Sequence, residues 1–396
     1  MKQNNRTKDD TRRRIFFLSS ARSDYDILHP IIVAVKQDPR LDAQVIAAAG
    51  QMSPFHGLGV ELIRSDGHTI AGEVESLLGS ETCMGRALSF VHLTEGLTHL
   101  LQYNRPDILF IMGDREEALA GAIVANFLGI HVAHLHGGDR CNASGIDEVL
   151  RPAISKLSHL HFTAMEAHRE RLIRMGEPPE LVWTTGAPGL DRLRTEAGVE
   201  DEVLKQEFGI DVTKPYFLLI YNPSPLLDPE KSGEEMAQVL KGVLALGHPV
   251  FCSYPNYDPG NIAMRRVIAN ARLHSNLLFV MDSLPRSRFV ALYRRCSAIV
   301  GNSSSIVFEA GFLCVPGILV GDRQNLRMVG ENVLRVPATA LAVKEACERA
   351  LGDPAFRKAA KNSQNLYGDG YAAPRIAKVL SEVRLTPAML RKTITY

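Results

Sequence analysis

The stretch ILFIMGDREEALAGAIVANFLGIHVAHLHGGDRCNASGIDEVLR, residues 108–151, decides how this chain folds. Ile108–Met112 is a short apolar run that stops at Gly-Asp, and His131–Leu135 is a second that stops at His-Gly-Gly-Asp. Between them, residues from about Glu117 to Leu128 carry a helix-like apolar run, and a further helix starts near Ile146 and carries Arg151 and Lys156. Strand, helix and strand in this order predict a βαβ unit and a parallel sheet. In an open α/β sheet, residues just past the carboxyl ends of neighbouring strands face one crevice. Asp114, His136 and Asp139 are therefore expected to converge, with Asp147 and Glu148 close behind. Several titratable groups in one cleft make a candidate active site on physical grounds. Asp114 and Asp147, taken singly, are also residues that cap helices.

The same alternation extends to both sides. Ile15–Ser19 and Ala43–Ala48 read as strands, separated by a polar turn and an amphipathic helix, and the loop Gly50–Gly59 is too rich in turn formers to be regular. A helix is predicted over Ser80–Asn104, and His161–Ala164 and Val182–Thr184 read as two more strands. After a join at Gly186–Gly209 the pattern repeats, with strands at Tyr216–Ile220, Val250–Ser253, Leu277–Met281, Ala298–Val300 and Gly317–Val320. The economical architecture is α/β: two Rossmann-like, doubly wound domains with a cleft between them. Residues 1–14 form a disordered tail, 15–188 the first domain and 189–369 the second, and a final helix within 370–396 packs back on the first.

In the second half the informative stretch is GNSSSIVFEAG, Gly301–Gly311. It follows a strand and opens a helix. Ser303, Ser304 and Ser305 would offer hydroxyls and free N–H groups to an anion, phosphate above all, at the positive end of the helix dipole. Glu309, one turn on, is placed to accept hydrogen bonds from a ribose diol. Arg323, in G-D-R-Q after the next strand, and Arg22, in the first turn of the other domain, suit a diphosphate, because a guanidinium binds oxyanions bidentately. There is no G-x-x-x-x-G-K-[ST] loop for ATP hydrolysis, and no G-x-G-x-x-G after the first strand for a nicotinamide cofactor.

With 396 residues, 45% hydrophobic and 22% charged, the chain can bury a sizeable core, and a net charge of +1 gives no reason to expect nucleic acid or an anionic membrane as partner. No stretch reaches the roughly 18 apolar residues of a membrane span. Six scattered cysteines without a C-x-x-C pair fit reduced, cytoplasmic thiols better than disulfides or a zinc site. His134 and His136, two apart on a strand, would face the same side, and a hydrogen-bonded role suits them better than a metal.

At these residues the chain resembles the UDP-N-acetylglucosamine 2-epimerases, most of all the hydrolysing branch used in sialic-acid-type sugar biosynthesis. The likeness runs from about Ile15 to Ala372. It rests on A-R-S-D-Y-D-I-L, G-D-R-E-E-A-L-A, H-L-H-G-G-D with I-D-E-V-L-R-P-A-I-S-K-L-S-H-L-H-F, Y-P-N-Y-D-P-G-N, G-N-S-S-S-I-V-F-E-A and G-D-R-Q in that order. The resemblance implies a GT-B-like pair of domains, with nucleotide held mainly by the second. Arg22, Ser303, Ser304, Glu309 and Arg323 match nucleotide-binding positions, and Asp114 and Asp147 match catalytic or sugar-contacting acids. Arg151 matches a basic position one helical turn beyond Asp147. Asp24, Arg115, Asn222, Asn256 and Ser305, within the same motifs, complete the expected substrate-binding set. Three departures stand out: His136 where many relatives carry glutamate, leaving Asp139 to supply the acid; Pro152 where they carry histidine; and Asn222-Pro223 where they carry histidine before proline.

The implied reaction eliminates UDP from C1 as the C2 proton leaves, giving a glycal, then adds water at C1 and returns a proton to the opposite face of C2. Asp114 or Asp139 is the candidate base, and Asp147, Glu148 or His136 the candidate acid. The product would be N-acetylmannosamine plus UDP, made without metal or cofactor by a cytoplasmic homodimer or homotetramer. Rival expectations are a UDP- or GDP-linked 2,4-diacetamido-trideoxyhexose on the way to legionaminic-type acids, a GT-B glycosyltransferase, and a non-catalytic nucleotide-sugar sensor.

Overall fold

The computed structural model describes residues 11–54, 58–79, 82–141, 146–224, 228–256, 258–281 and 284–393. The chain divides into two compact units, Met1–Asp139 with Ile146–Arg194 and Gly368–Tyr396, and Arg140–Gly145 with Thr195–Tyr367. Both are α/β, built on parallel sheets.

The first unit carries seven strands, β1 (Arg13–Ser19), β2 (Leu41–Ala48), β3 (Thr69–Val74), β4 (Ile108–Met112), β5 (His131–Leu135), β6 (Leu160–Thr163) and β7 (Val182–Thr184), in spatial order β3-β2-β1-β4-β5-β6-β7. Every pairing is parallel. The central strands β1, β4 and β5 are covered on both faces by helices, so they read as continuous apolar runs rather than alternating ones. One face packs Phe17, Phe110 and Phe162 under Tyr25, Leu28 and Ile32; the other packs Phe16, Leu109 and Ile111 under Leu97, Ala122 and Val124. The sheet begins at Arg13, not Ile15, because Arg13 and Arg14 pair with Leu41 and Asp42 and the Arg14 amide donates to Asp107 Oδ2 at 2.8 Å. Residues 1–10 of the expected tail lie outside the described residues.

The predicted long helix runs Cys83–Tyr103, capped by the Thr82 hydroxyl accepting from the Gly85 amide at 3.0 Å. The closing helix, Ala372–Glu382, places Ala373, Ile376 and Leu380 in the core of the first unit. The buried Asp191 holds its start, accepting from the amides of Ala372 at 3.0 Å and Ala373 at 2.7 Å. Beyond it, Lys392 donates to Ser158 O and to Glu177 Oε2, both at 2.5 Å.

The second unit has β8 (Phe217–Ile220), β9 (Val250–Ser253), β10 (Leu278–Met281), β11 (Ala298–Gly301), β12 (Gly317–Val320) and β13 (Val333–Val336), in the order β10-β9-β8-β11-β12-β13, again all parallel. In both units the sheet order reverses direction once, between β1 and β4 and between β8 and β11. That switch point is where ligands bind in open α/β sheets, because connections leave to opposite faces there and open a crevice at the carboxyl ends. Two strands absent from the sequence reading, β3 and β13, are sheet edges with little fully buried apolar surface. No helix among the described residues is long and apolar enough to cross a membrane.

Candidate functional site

In the first unit the carboxyl ends of β4 and β5 are built by tight turns. Gly113 adopts φ +79°, and its amide donates to Leu135 O at 3.0 Å, which pins the end of β4 to the end of β5. His134, fully buried in β5, holds the same turn: Nε2 lies 2.8 Å from Gly113 O and Nδ1 3.1 Å from Ser155 Oγ. A carbonyl only accepts, so Nε2 carries the proton and Nδ1 accepts from the serine hydroxyl. Burial pushes the His134 pKa down to about 3, with the Gly113 hydrogen bond opposing, and the ring stays neutral. His136, past the strand end, takes a left-handed backbone at φ +65°, so it does not continue the strand alternation that would have set it beside His134. Of the two glycines that follow, the first sits in tight quarters and the second has room for no side chain. A Cβ on Gly137 would lie 3.0 Å from both His134 Nδ1 and Ser155 Oγ; on Gly138, at φ +74°, it would lie 2.3 Å from His168 O.

These turns deliver Asp114 and Asp139 to one cation. Arg151, 3% exposed on the helix Asp147–Leu157, donates through Nη2 to Asp114 Oδ2 and through Nη1 to Asp139 Oδ2 at 3.3 Å. On its other oxygen Asp139 faces His168 Nε2 at 3.4 Å. A guanidinium can serve two carboxylates because its five N–H donors fan out in a plane. Asp147 and Glu148 open the same helix, half-buried. Asp147 adds its charge to that around Arg86, which pairs bidentately with Glu116 at 2.7 and 2.8 Å.

After β1, Asp24 is consumed by its own turn. Its Oδ2 accepts from Ser20 Oγ at 2.6 Å, Ser20 N at 3.2 Å and Ala21 N at 3.0 Å, which caps the helix Arg22–Gln37. Burial raises its pKa, opposed by the nearby Arg115 and by these hydrogen bonds. Arg115 in turn forks onto Glu117 at 3.1 and 3.2 Å. Arg22, the first residue of the helix, is exposed.

In the second unit Asn302 organises the switch point. Its Oδ1 accepts from Asn222 N at 2.7 Å and its Nδ2 donates to Asn222 O at 2.8 Å, which ties the end of β11 to the end of β8. Asn302 O accepts from Gln324 Nε2 at 3.1 Å and from Arg323 Nη1 at 3.4 Å, so the turn after β12 joins the same corner. Asn222 Oδ1 accepts from Asn256 N at 2.9 Å, and Asp258 Oδ2 lies 2.7 Å from Asn256 Nδ2 and 3.7 Å from Arg323 Nη2. Only glycine fits at 301, where φ is +137° and a Cβ would sit 1.9 Å from Ile220 O. Ser303 caps the next helix, its Oγ accepting from Ser305 N at 3.2 Å. That helix, Ser304–Phe308, has only five residues, so the strong dipole expected there is not available and one serine hydroxyl is already engaged. Glu309 closes it and pairs with Arg286 Nη2 at 3.2 Å.

The family model for UDP-N-acetylglucosamine 2-epimerase matches residues 33–381. The chain belongs to the UDP-N-acetylglucosamine 2-epimerase family. It is 33% identical over 384 residues, 97% of this chain and 100% of the relative, to a UDP-N,N'-diacetylbacillosamine 2-epimerase (hydrolyzing) of Legionella pneumophila. A UDP-N-acetylglucosamine 2-epimerase of Neisseria meningitidis is 26% identical over 341 residues, 85% of this chain and 87% of the relative. The solved structure of a Neisseria meningitidis UDP-GlcNAc 2-epimerase bound to UDP-GlcNAc superposes with a TM-score of 0.81 at 18% identity, covering 93% of this chain and 99% of that one, a likeness of fold.

For this 2-epimerase family member, the structure brings Asp114, Asp139 and Arg151 into one cluster, and Asn222, Asn256 and Arg323 into another. Asp24 and Arg115 stand together on a third, with Glu117. Asp24 and Ser303 spend their contacts on capping. His168, Arg286 and Asn302 escaped the sequence reading. Asn302 stands inside the quoted G-N-S-S-S motif, and its place directly after a strand end was the available signal. His168 and Arg286 lie in ordinary amphipathic helices, where nothing local marks them.

Proposed function

We propose that the protein is a hydrolysing 2-epimerase of a UDP-linked acetamido sugar. The observation that carries this reading is the clamp of Asp114 and Asp139 on the buried Arg151, in a chain of this family. In the reaction the C1–O bond breaks with its electron pair leaving on UDP, and the C2 proton passes to a carboxylate, giving a glycal. Water then adds at C1, and a proton returns to the opposite face of C2. The C2 hydrogen is poorly acidic, so the barrier falls only as positive charge grows at C1 during departure of the diphosphate. Arg323, the serine turn at Ser303–Ser305 and Arg22 are our candidates for holding that diphosphate, and Glu309 for the ribose. Asp114 or Asp139 serves as base, and Asp147, Glu148 or His136 as acid. A neutral His134 supports the role of Asp114 by fixing its turn.

On substrate, the full-length 33% identity to the Legionella pneumophila enzyme favours a UDP-linked 2,4-diacetamido-trideoxy sugar, with UDP-N-acetylglucosamine second, on the 26% relative. We place the protein in the cytoplasm, in keeping with Cys83, Cys252, Cys296, Cys314 and Cys347 standing as thiols. The exposed apolar side chains Met84, Leu88 and Val91, on one face of the helix Cys83–Tyr103, support a homo-oligomer, which light scattering tests. The deciding assay incubates the protein with each UDP-sugar in D2O, without acceptor, and follows product by NMR. UDP and a C2-inverted free sugar bearing deuterium at C2 are expected from one of them. Binding with neither release of UDP nor exchange at C2 would leave a nucleotide-sugar sensor, and turnover only with an added acceptor would leave a glycosyltransferase.

A further inference from the structure

On the flank of the first unit, away from the carboxyl ends of β4 and β5, three side chains present donors of a kind the epimerase chemistry does not use. His29 lies on the helix Arg22–Gln37, Asp66 follows the short helix Gly59–Ser65, and His68 stands just before β3. One donor atom from each lies within 4.8 Å of the other two, and His29 Nε2 is 3.7 Å from Asp66 Oδ2. His68 is only 8% exposed, yet neither of its ring nitrogens has a hydrogen-bond partner. A buried imidazole satisfies at least one nitrogen as a rule, so this one stands out.

We propose that His29, Asp66 and His68 form a binding site for a divalent transition-metal ion of the zinc class. Two imidazoles and one carboxylate are borderline ligands that suit zinc, with solvent in the fourth position. Ligand atoms around a tetrahedral zinc lie about 3.4 Å apart, given metal–ligand distances of about 2.0–2.2 Å. The His29–Asp66 spacing is already close to that. The wider separations close by rotation of the Asp66 carboxylate, which is exposed, and small adjustments of the half-buried His29 ring. The same exposure provides the entry path. Tyr25, fully buried one helical turn before His29, donates to Asp66 Oδ2 at 2.6 Å and orients the carboxylate as an outer-sphere partner. The three rings pack edge to face, with centroids 5.3 Å apart for His29 and His68 and 5.6 Å for Tyr25 and His29, which limits their rotation.

An ion there would bolt the helix that carries Arg22 and Asp24 to the segment leading into β3, so its role is structural. The test uses the untagged, full-length protein, stripped with EDTA and titrated with Co(II) as a visible probe and with Zn(II) by calorimetry. One ion per chain is expected, with the absorption bands of a four-coordinate Co(II) site that Zn(II) abolishes, and a higher thermal midpoint with Zn(II) bound. His29→Ala should lose binding at least about a hundredfold, and Tyr25→Phe about tenfold. His68→Ala should behave as His29→Ala does; if burial prevents that variant from folding, His29→Ala and Asp66→Asn decide alone, since both side chains reach the surface. Absence of a Co(II) band in the intact protein, or a band unchanged in folded His29→Ala, overturns the assignment.

Discussion

Replacing Arg151 with methionine tests the central clamp. The guanidinium is 3% exposed, and of its two partners Asp139 is also 3% exposed while Asp114 reaches 21%. Methionine keeps much of the volume and removes the charge, so the main effect is to leave Asp139 ionised, buried and without its cation. Breaking a buried pair from one side costs about 3–5 kcal/mol, far more than the pair's net worth, because the stranded charge cannot return to water. For a unit of about 200 residues this lowers the unfolding midpoint by about 6–20 °C. Differential scanning calorimetry of intact protein and variant at neutral pH gives the number. The deficit should shrink as pH falls, since protonating Asp139 removes the stranded charge in the variant. The double variant Arg151→Met with Asp139→Asn should recover most of the lost stability, because the fully buried ion is gone and the remaining one, Asp114, still reaches solvent. A single variant within about 1 kcal/mol of the parent, or a double variant no better than the single, would refute the clamp.

His134 predicts a pH dependence. Its imidazole titrates at about 3 in the fold against 6.5 in the unfolded chain, so its contribution is complete above 6.5 and is lost as pH falls toward 3. The loss is about 3 kcal/mol by about pH 4.5, and His134→Gln should flatten the slope of urea stability against pH over that window. Gly301→Ala forces a Cβ into the Ile220 carbonyl, so the variant should be poorly folded or lose nucleotide binding in calorimetry, while Gly352→Ala, with open space around it, changes little. Asp191→Asn keeps the side-chain shape but removes the anion from the start of the last helix, costing about 1–2 kcal/mol and speeding limited proteolysis after Gly368. Arg286→Met releases Glu309, and the expected result is a raised KM for the UDP-sugar with a smaller change in kcat.

How much of this was legible in the chain follows from how local each signal is. Ile108–Met112 and His131–Leu135 are strands at the predicted boundaries because both are central, buried on both faces and stopped by a turn into the left-handed region, at Gly113 and at His136. Thr69–Val74 and Val333–Val336 escaped because an edge strand is held by one neighbour and need not be apolar. The acids after β4 and β5 could be read from strand-end logic alone. Whether an acid there faces ligand or serves its own turn could not: Asp24 occupies the equivalent place after β1 and caps a helix instead. His168 lies 29 residues beyond Asp139, and only the folded sheet brings its Nε2 to that carboxylate.

The two units share one strand order yet use their switch points differently, and this division argues for the chemistry. At β8 and β11 the corner is knit by amides: Asn302 pairs twice with the Asn222 backbone, and Gln324 and Arg323 reach the Asn302 carbonyl. Neutral amides at strand ends add no charge of their own, and the charges at this corner are Arg323 and, 3.7 Å from its Nη2, Asp258. In the first unit the strand ends are knit by a neutral imidazole and a buried guanidinium, and the groups they position are carboxylates. A corner that held phosphate would not place Asp114 and Asp139 on one arginine, since that arginine is then spent. Carboxylates held in place beside a cation suit proton removal at carbon, which needs a positioned base. Exchanging Asp139 for asparagine therefore should leave UDP affinity unchanged and stop deuterium exchange at C2; weakened UDP binding with exchange intact would reverse the assignment of the two units.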